Sequence, residues 1–397
     1  MKINKSYKFR LYPNKEQKIF INKSIGSCRF VYNYFLDYKT KYYIEHKTEK
    51  KKNISFIETE HQLKLLKEKK ELEWLNEINS QSLQFSLRNL DSAYSRFYKK
   101  VSGFPTFKKK RNGGSFTVPQ FFQIVEERNK FSFIKIPKLK QLLKFRASRI
   151  MEGKLLYCTV SKTSTDMYFI SFTTEQEVPE KENKKKKAIG VDLGIKTLAV
   201  TSNNEVFKTN NKFKVKEKKL KKIQRKHSKA KKGGTNRNKL RKKLAVQYEK
   251  IKNSRNDYLH KISNYIVENQ DIIITEDLNI KGMMQNHCLA KAISNQSFYE
   301  FTRQLEYKAT WNNKIFYQIN RWYPSSQICN HCGYQNKQLK LSDRIWICPN
   351  CHKEIDRDFN AACNIRDLGL SDLSIVGATK SYASGRTKVT ERIISFQ

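Results

Sequence analysis

Apolar and polar residues first alternate with a period of two. In SYKFRLYP, Tyr7, Phe9 and Leu11 share one side of an extended segment while Lys8 and Arg10 take the other, which predicts a half-buried strand with a basic outer face. Pro13 ends it, and Asn14 is placed to cap a helix starting near Lys15. From residue 15 to about 49 the period becomes helical and crowded with aromatics such as Phe30, Tyr34 and Tyr38. Two more helical stretches follow, over residues 57–74 and 80–100. In the second, Leu83, Leu87, Leu90, Tyr94 and Phe97 form one apolar stripe, which core packing alone would explain. The Pro/Gly-punctuated basic loop GFPTFKKKRNGGSF (residues 103–116) breaks this pattern. Short β-like runs then recur at residues 115–119, 131–136, 155–161 and 167–173. They predict a small barrel or sheet module that the first strand can join, leaving the helices as an insertion.

The charged segment KENKKKK (residues 181–187) is the predicted linker and domain boundary. Beyond it, AIGVDLGIKTLAVTS reads as strand, glycine-containing turn, strand, with Asn203-Asn204 turning into a third strand. A basic helical region over residues 212–252, interrupted at Gly233-Gly234, precedes another helix ending near Glu268. DIIITED is a short apolar strand ending in acid, and KIFYQIN is a further strand. Between them Ser294 is expected to cap a helix carrying Phe298, Phe301, Leu305 and Ala309. A last helix starts in DFNAACNI, and the Ser-, Gly- and Thr-rich residues beyond about Leu370 read as a poorly ordered tail.

Charge narrows the partners. The chain has 397 residues, too many for one ordinary core. Its 80 Lys and Arg face 37 Asp and Glu, a formal net charge of +43. A few units of charge make a soluble surface, but dozens repel one another unless a polyanion binds. With 24 Phe and 20 Tyr among them, nucleic acid is the favoured partner over a membrane surface. No long apolar run or signal-peptide core is present, so the expectation is a cytoplasmic protein, nucleoid-associated when on DNA, with a monomer favoured and no membrane contact.

Eight cysteines are too few and too uneven for a disulfide scaffold. Four of them, Cys329, Cys332, Cys348 and Cys351, have the spacing C-x2-C-x15-C-x2-C, which suits four thiolates around a tetrahedral zinc ion of structural type. His331 and His352 lie beside these ligands and are read as neighbours, and the four single cysteines as small apolar residues. Three acids complete the picture: Asp192 near the end of the first strand after the linker, Glu276 at the end of IIITE, and Asp358 at the start of the last helix. In order they fit an RNase H-like fold, where such acids hold two magnesium or manganese ions around a scissile phosphate. Helical spacing puts Asp358 on one face with Ala361, Ala362 and Ile365, small residues that allow close approach to a sheet. Asp356 falls before the helix, as a turn or capping residue. Taken singly, each acid is equally well a turn, surface or capping residue; jointly they are harder to dismiss.

The motifs YKFRLYPNKEQ, SCRFVYNYFL, NSQSLQFSLRNLDSAYSRFYK, FPTFKKK, GVDLGIKTLAV, TEDLNIKGM, YPSSQICNHCG, CPNC and DRDFNAACNI run in one order along nearly the whole chain. In this the sequence resembles TnpB, the transposon-encoded RNA-guided DNA endonucleases related to compact type V CRISPR effectors. The resemblance implies a multidomain α/β and β-barrel protein. A wedge-type barrel (residues 1–12 and 101–180) would carry an inserted helical recognition lobe (13–100). After the linker at 181–187, a RuvC-like nuclease (188–325 and 353–370) would be interrupted by a zinc ribbon (326–352), with a flexible tail over 371–397. It implies catalytic acids at Asp192, Glu276 and Asp358, magnesium or manganese held by them, and zinc held by Cys329, Cys332, Cys348 and Cys351. It also implies a guide RNA from the transposon end, a double-stranded DNA target, and a short transposon-adjacent motif read by protein. Lys108, Lys109, Lys110 and Arg111 in the basic loop are candidates for phosphate contacts, as are Lys221, Lys222, Arg225, Lys226, Arg237 and Arg241 in the basic helices. The competing readings are a nuclease-independent RNA-guided DNA-binding regulator, a transposase proper, and a zinc-ribbon RNA-binding protein of the translation apparatus.

Overall fold

Strand pairing reaches further back along the chain than the alternation alone suggests. In the computed structural model, which describes residues 1–48, 53–128, 131–178, 186–209, 212–340 and 342–380, β1 spans Lys2–Leu11. It pairs antiparallel with β7 (Tyr168–Glu177), in register from Lys2↔Glu177 to Leu11↔Tyr168. Tyr7, Phe9 and Leu11 are buried, while Lys8 and Arg10 on the other face lie over the Phe169 ring at 4.4 and 5.1 Å. The helices α1 (Lys15–Glu45), α2 (Phe56–Glu68) and α3 (Ser80–Tyr98) are inserted between β1 and β2 (Gly114–Val118).

The other strands are β3 (Gln123–Arg128), β4 (Phe131–Lys135), β5 (Leu143–Arg146) and β6 (Lys154–Lys162). All join one curled antiparallel sheet in the order β2-β6-β7-β1-β5-β4-β3. Phe9, Phe145 and Phe172 pack ring against ring at its centre, 5.4–6.1 Å apart. Asn14 closes a capping box with Gln17 at the start of α1. The expected stripe of α3 is buried through Leu83, Leu87, Leu90 and Tyr94. The helix expected over residues 57–74 is split: Lys69 is extended, and a 3-10 segment, Lys70–Glu77, follows and buries Leu75.

The chain divides between Glu177 and Val178. Of the expected linker, residues 181–185 lie outside the described residues. The second unit is built on a sheet of order β10-β9-β8-β11-β12. Its strands are β8 (Ala188–Leu193), β9 (Thr197–Thr201), β10 (Val206–Lys208), β11 (Ile272–Glu276) and β12 (Ile315–Ile319). The first three form an antiparallel meander turned at Asn204 (φ +62°), and β8, β11 and β12 are parallel. Between meander and β11 lie α4 (Lys212–Lys229) and α5 (Thr235–Asn269), joined by a turn at Gly233 (φ +82°). The helix expected to begin after residue 252 is the continuation of α5. Short α6 (Ile280–Met283), then α7 (His287–Gln296) and α8 (Phe298–Trp311), lead to β12. Ser294 does not cap α8: it lies inside α7, and Ser297, with φ +54°, breaks the two helices apart.

Each face of this sheet has its own cover. Ile189, Val191, Leu193 and Ile273 pack with Leu259, Ile262 and Ile266 of α5 and Phe301 and Leu305 of α8. On the opposite face, Ile272, Ile274 and Ile319 pack with Ile365 of α9 (Arg357–Lys380). This last helix runs ten residues beyond Leu370, where the tail was expected to start. Leu373 packs on the core, and the Tyr317 hydroxyl donates to Asp372 at 3.1 Å, holding the first of the added turns. Residues 381–397 lie outside the described residues. Between β12 and α9, β13 (Ile345–Ile347) and β14 (Glu354–Asp356) form a small hairpin around Trp346. Among the described residues, no helix is long and apolar enough to cross a membrane.

Candidate active site

Two strand ends and one helix start meet on the α9 face of the mixed sheet. Residues two apart on a strand share a face, so Gly190 and Asp192 of β8 point the same way, as do Ile274 and Glu276 of β11. The parallel register runs to Thr275↔Val191, and one further step puts Glu276 beside Asp192. Across that face α9 lies almost in backbone contact. A Cβ on Gly190 would stand 2.0 Å from the Ala362 carbonyl oxygen, and one on Gly369 would stand 2.5 Å from Ile274 Cγ2. Asp358 is one helical turn before Ala362, at the sheet end that carries the other acids. Asp356 caps the helix, its Oδ1 accepting from the Phe359 amide at 2.8 Å.

Electrostatics show how the acids feel one another. Burial, then the negative charges of Glu276 and Asp358, push the Asp192 carboxyl up to about 8 against the pull of Arg357 and the Leu193 amide. Burial also raises Glu276, opposed by a hydrogen bond that the Ser325 hydroxyl donates to its Oε1. Arg344, just before β13, donates from Nη1 to both oxygens of Asp358 at 2.9 Å. Asp277 is held separately by Arg321 at 2.6 Å. Clustered carboxylates on a half-buried face are a charge deficit that an oxygen-seeking divalent cation such as magnesium or manganese fits. A cation taking both oxygens of Asp358 has to displace Arg344. Ser325 and Arg344 escaped the sequence reading because they act on acids 49 and 14 residues away along the chain.

The four paired cysteines converge. Their sulfurs all lie within 4.8 Å of one another, with Cys329–Cys351 at 3.7 Å and Cys332–Cys348 at 3.6 Å. A disulfide needs about 2.05 Å. A tetrahedral zinc at about 2.3 Å from each sulfur sets neighbouring sulfurs about 3.8 Å apart, so the thiols fit a metal and not a pair of bonds. Cys329 and Cys348 are buried against Trp346.

The basic candidates divide. Lys109, Lys110, Arg111, Lys221, Lys222, Arg225, Lys226 and Arg241 are exposed. Lys108 is exposed as well, but it places its ammonium 3.7 Å from the Tyr32 ring centre, and its backbone is clamped by Asn33 at 2.8 and 3.0 Å. Arg237 donates to the carbonyls of His227 and Ala230 at 3.1 and 2.8 Å, closing the end of α4. Local contacts therefore occupy these two, which charge alone could not separate from their neighbours.

Three family profiles match: one described as "Probable transposase" over residues 171–287, one as "Cas12f1-like, TNB domain" over residues 298–365, and one as "Helix-turn-helix domain" over residues 1–48. The last covers β1 and the single long helix α1, so this part of the chain is not two helices around a turn. A Streptomyces pristinaespiralis protein named "Putative RNA-guided DNA endonuclease" is 33% identical, over 93% of this chain and 90% of its own length. "Putative RNA-guided DNA endonuclease InsQ" of Escherichia coli (strain K12) is 31% identical over 99% of both. In fold, the chain is similar to the protein in a cryo-EM structure of a Cas12f1–sgRNA–target DNA complex, with a TM-score of 0.58 at 14% identity, covering 92% of this chain and 99% of that one. It is also similar to the mini-RNA-guided endonuclease CRISPR-Cas_phi3, with a TM-score of 0.52 at 10% identity, covering 93% and 92%. Matched along nearly its whole length by these relatives, the chain belongs to the TnpB family, related to Cas12f.

Proposed function

We propose that this protein is an RNA-guided endonuclease that cuts double-stranded DNA at a RuvC-type, RNase H-like centre formed by Asp192, Glu276 and Asp358. The observation that carries this reading is that these acids stand on adjoining strand ends and the overlying helix, with Asp192 pushed up to about 8 first by burial and then by the charges of Glu276 and Asp358. The meander-plus-parallel strand order supports an RNase H-like domain, and the names of the relatives support RNA guidance. Among the described residues only the cysteines bring three or more His, Cys, Asp or Glu ligand atoms within 4.8 Å of one another.

Bound cations would activate the attacking water and stabilise the leaving oxygen of the phosphodiester. The chain's own part would be to present the three carboxylates on one face of the sheet, where a held cation would favour the ionised form of Asp192. Ser325 orients Glu276, and Arg344 neutralises Asp358 until it is displaced. Exposed lysines and arginines of α4, α5 and the basic loop would hold the guide RNA, derived from the transposon end, while pairing reads the target beside a short transposon-adjacent motif. The cysteines would hold zinc, keeping residues 326–352 folded as a ribbon.

The test is to purify the chain with the RNA transcribed from its flanking DNA, sequence that RNA, and offer matching duplex DNA. Cutting of both strands, dependent on magnesium and lost in Asp192→Ala, is the expected outcome. RNA-dependent target binding by the intact chain with both strands left whole would favour the regulator, and strand transfer without RNA would favour a transposase.

A further inference from the structure

The cysteine cluster and the carboxylates are joined by buried amide and hydroxyl groups that no charge pattern announces. The segment from Ser325 to Asn330 lies along one face of α9, where Asn360, Asn364 and Asp367 follow at helical steps. Asn364 donates from Nδ2 to the carbonyls of Ser325 and Ile328, at 2.7 and 2.6 Å. Asn360 donates to the same Ile328 carbonyl at 2.6 Å and accepts the Asn330 amide at 2.9 Å. The Asn330 side chain donates back to Asn364 at 3.0 Å and to Asp367 at 2.8 Å. Ile328 and Asn330 flank the ligand Cys329. Ser325, Asn360 and Asn364 are each buried to within 6% of full burial. At the far end of this run the Ser325 hydroxyl donates to Glu276.

We propose that Ser325 and Asn364 are positioning residues for the carboxylate centre: Asn364 fixes the Ser325 backbone against α9, and the Ser325 hydroxyl occupies one oxygen of Glu276 so that the other is presented to a divalent cation. This rests on the nuclease reading of the three acids. Through the same asparagines the first cysteine knuckle is tied to the helix that carries Asp358, so the cluster is coupled to two of the three acids without touching either. Partners of this kind, bonded to a ligating carboxylate, typically change metal affinity 10–100-fold.

The experiment measures manganese binding to the full-length chain by electron paramagnetic resonance and calorimetry, with Asp192→Asn defining the site and elemental analysis reporting the cysteine-bound metal. Ser325→Ala and Asn364→Ala are expected to weaken the Asp192-dependent site roughly tenfold or more while the cysteine-bound metal stays at its full content. Ser325→Thr, which keeps the hydroxyl, is expected to restore binding. The double variant is expected to be little worse than Ser325→Ala, because both act through one hydroxyl. An Asp192-dependent site that Ser325→Ala leaves unchanged, that Ser325→Thr does not rescue, or whose losses simply add would overturn this inference alone. Lack of any Asp192-dependent manganese site in the unsubstituted chain would overturn the nuclease reading together with it.

Discussion

Burying a carboxylate beside two others costs free energy that is recovered only when a proton or a cation arrives. For Asp192 the ordinary value of 3.8 becomes about 8 in the folded chain. Between those limits the folded chain keeps a proton that the unfolded chain has released, so without divalent cations stability falls as pH rises from about 4 to 8. Asp192→Asn removes the penalty. Its thermal midpoint in chelator-treated buffer should exceed that of the unsubstituted chain by a few degrees at pH 8 and match it near pH 4. Equal midpoints at pH 8 would show that the carboxyl carries no such strain. Arg237 offers a second single-residue contrast. Because its guanidinium closes the end of α4, Arg237→Ala should cost about 1 kcal/mol of stability by denaturant titration. The exposed Arg241→Ala should cost nothing there and show its effect only in RNA affinity.

At the scale of elements, the bare contact of α9 on the sheet sets the spacing of the acids, since no side chain at Gly190 can act as a cushion. Gly190→Ala must push the helix outward against its own backbone carbonyl. We expect it to lose about 1–3 kcal/mol of stability and to depress cleavage far more than RNA binding, whereas Gly103→Ala, with open space around it, should do neither. The cysteine element has a small apolar centre, chiefly Trp346, Leu339 and Ile355. Cys348→Ser should therefore make residues 326–356 open to proteolysis while the antiparallel sheet of the first unit keeps its unfolding midpoint. What could be read from the sequence follows the same logic. The α3 stripe, the Asn14 cap and the cysteine knuckles are local patterns, and local patterns survive in a one-dimensional text. β3 and β5 were not visible, because QIVEER and LKFR are too charged or too short to alternate clearly. Ser294 looked like a cap, yet the break came at Ser297, where backbone conformation and not side-chain type decides. The acids could be read as strand ends and a helix start; their hydrogen-bond partners, supplied by distant segments, could not.

For the molecule as a whole, a net charge of +43 makes binding to nucleic acid a counterion problem. Affinity for guide RNA should fall steeply and linearly on a logarithmic salt axis. Replacing Lys221, Lys222, Arg225 and Lys226 together by alanine should flatten the slope by roughly 3, at about 0.7 per phosphate contact on a single strand. An unchanged slope in filter-binding titrations would remove this face of α4 from the RNA surface. The pairing of β1 with β7 carries a consequence in time. During synthesis β1 is completed only by a strand made more than 150 residues later. At about 5–20 residues per second, that is a wait of roughly 8–30 seconds with Tyr7, Phe9 and Leu11 unsheltered. Lys5, Lys8 and Arg10, interleaved with those three, are the charges that keep a waiting edge from pairing with its copies on neighbouring ribosomes.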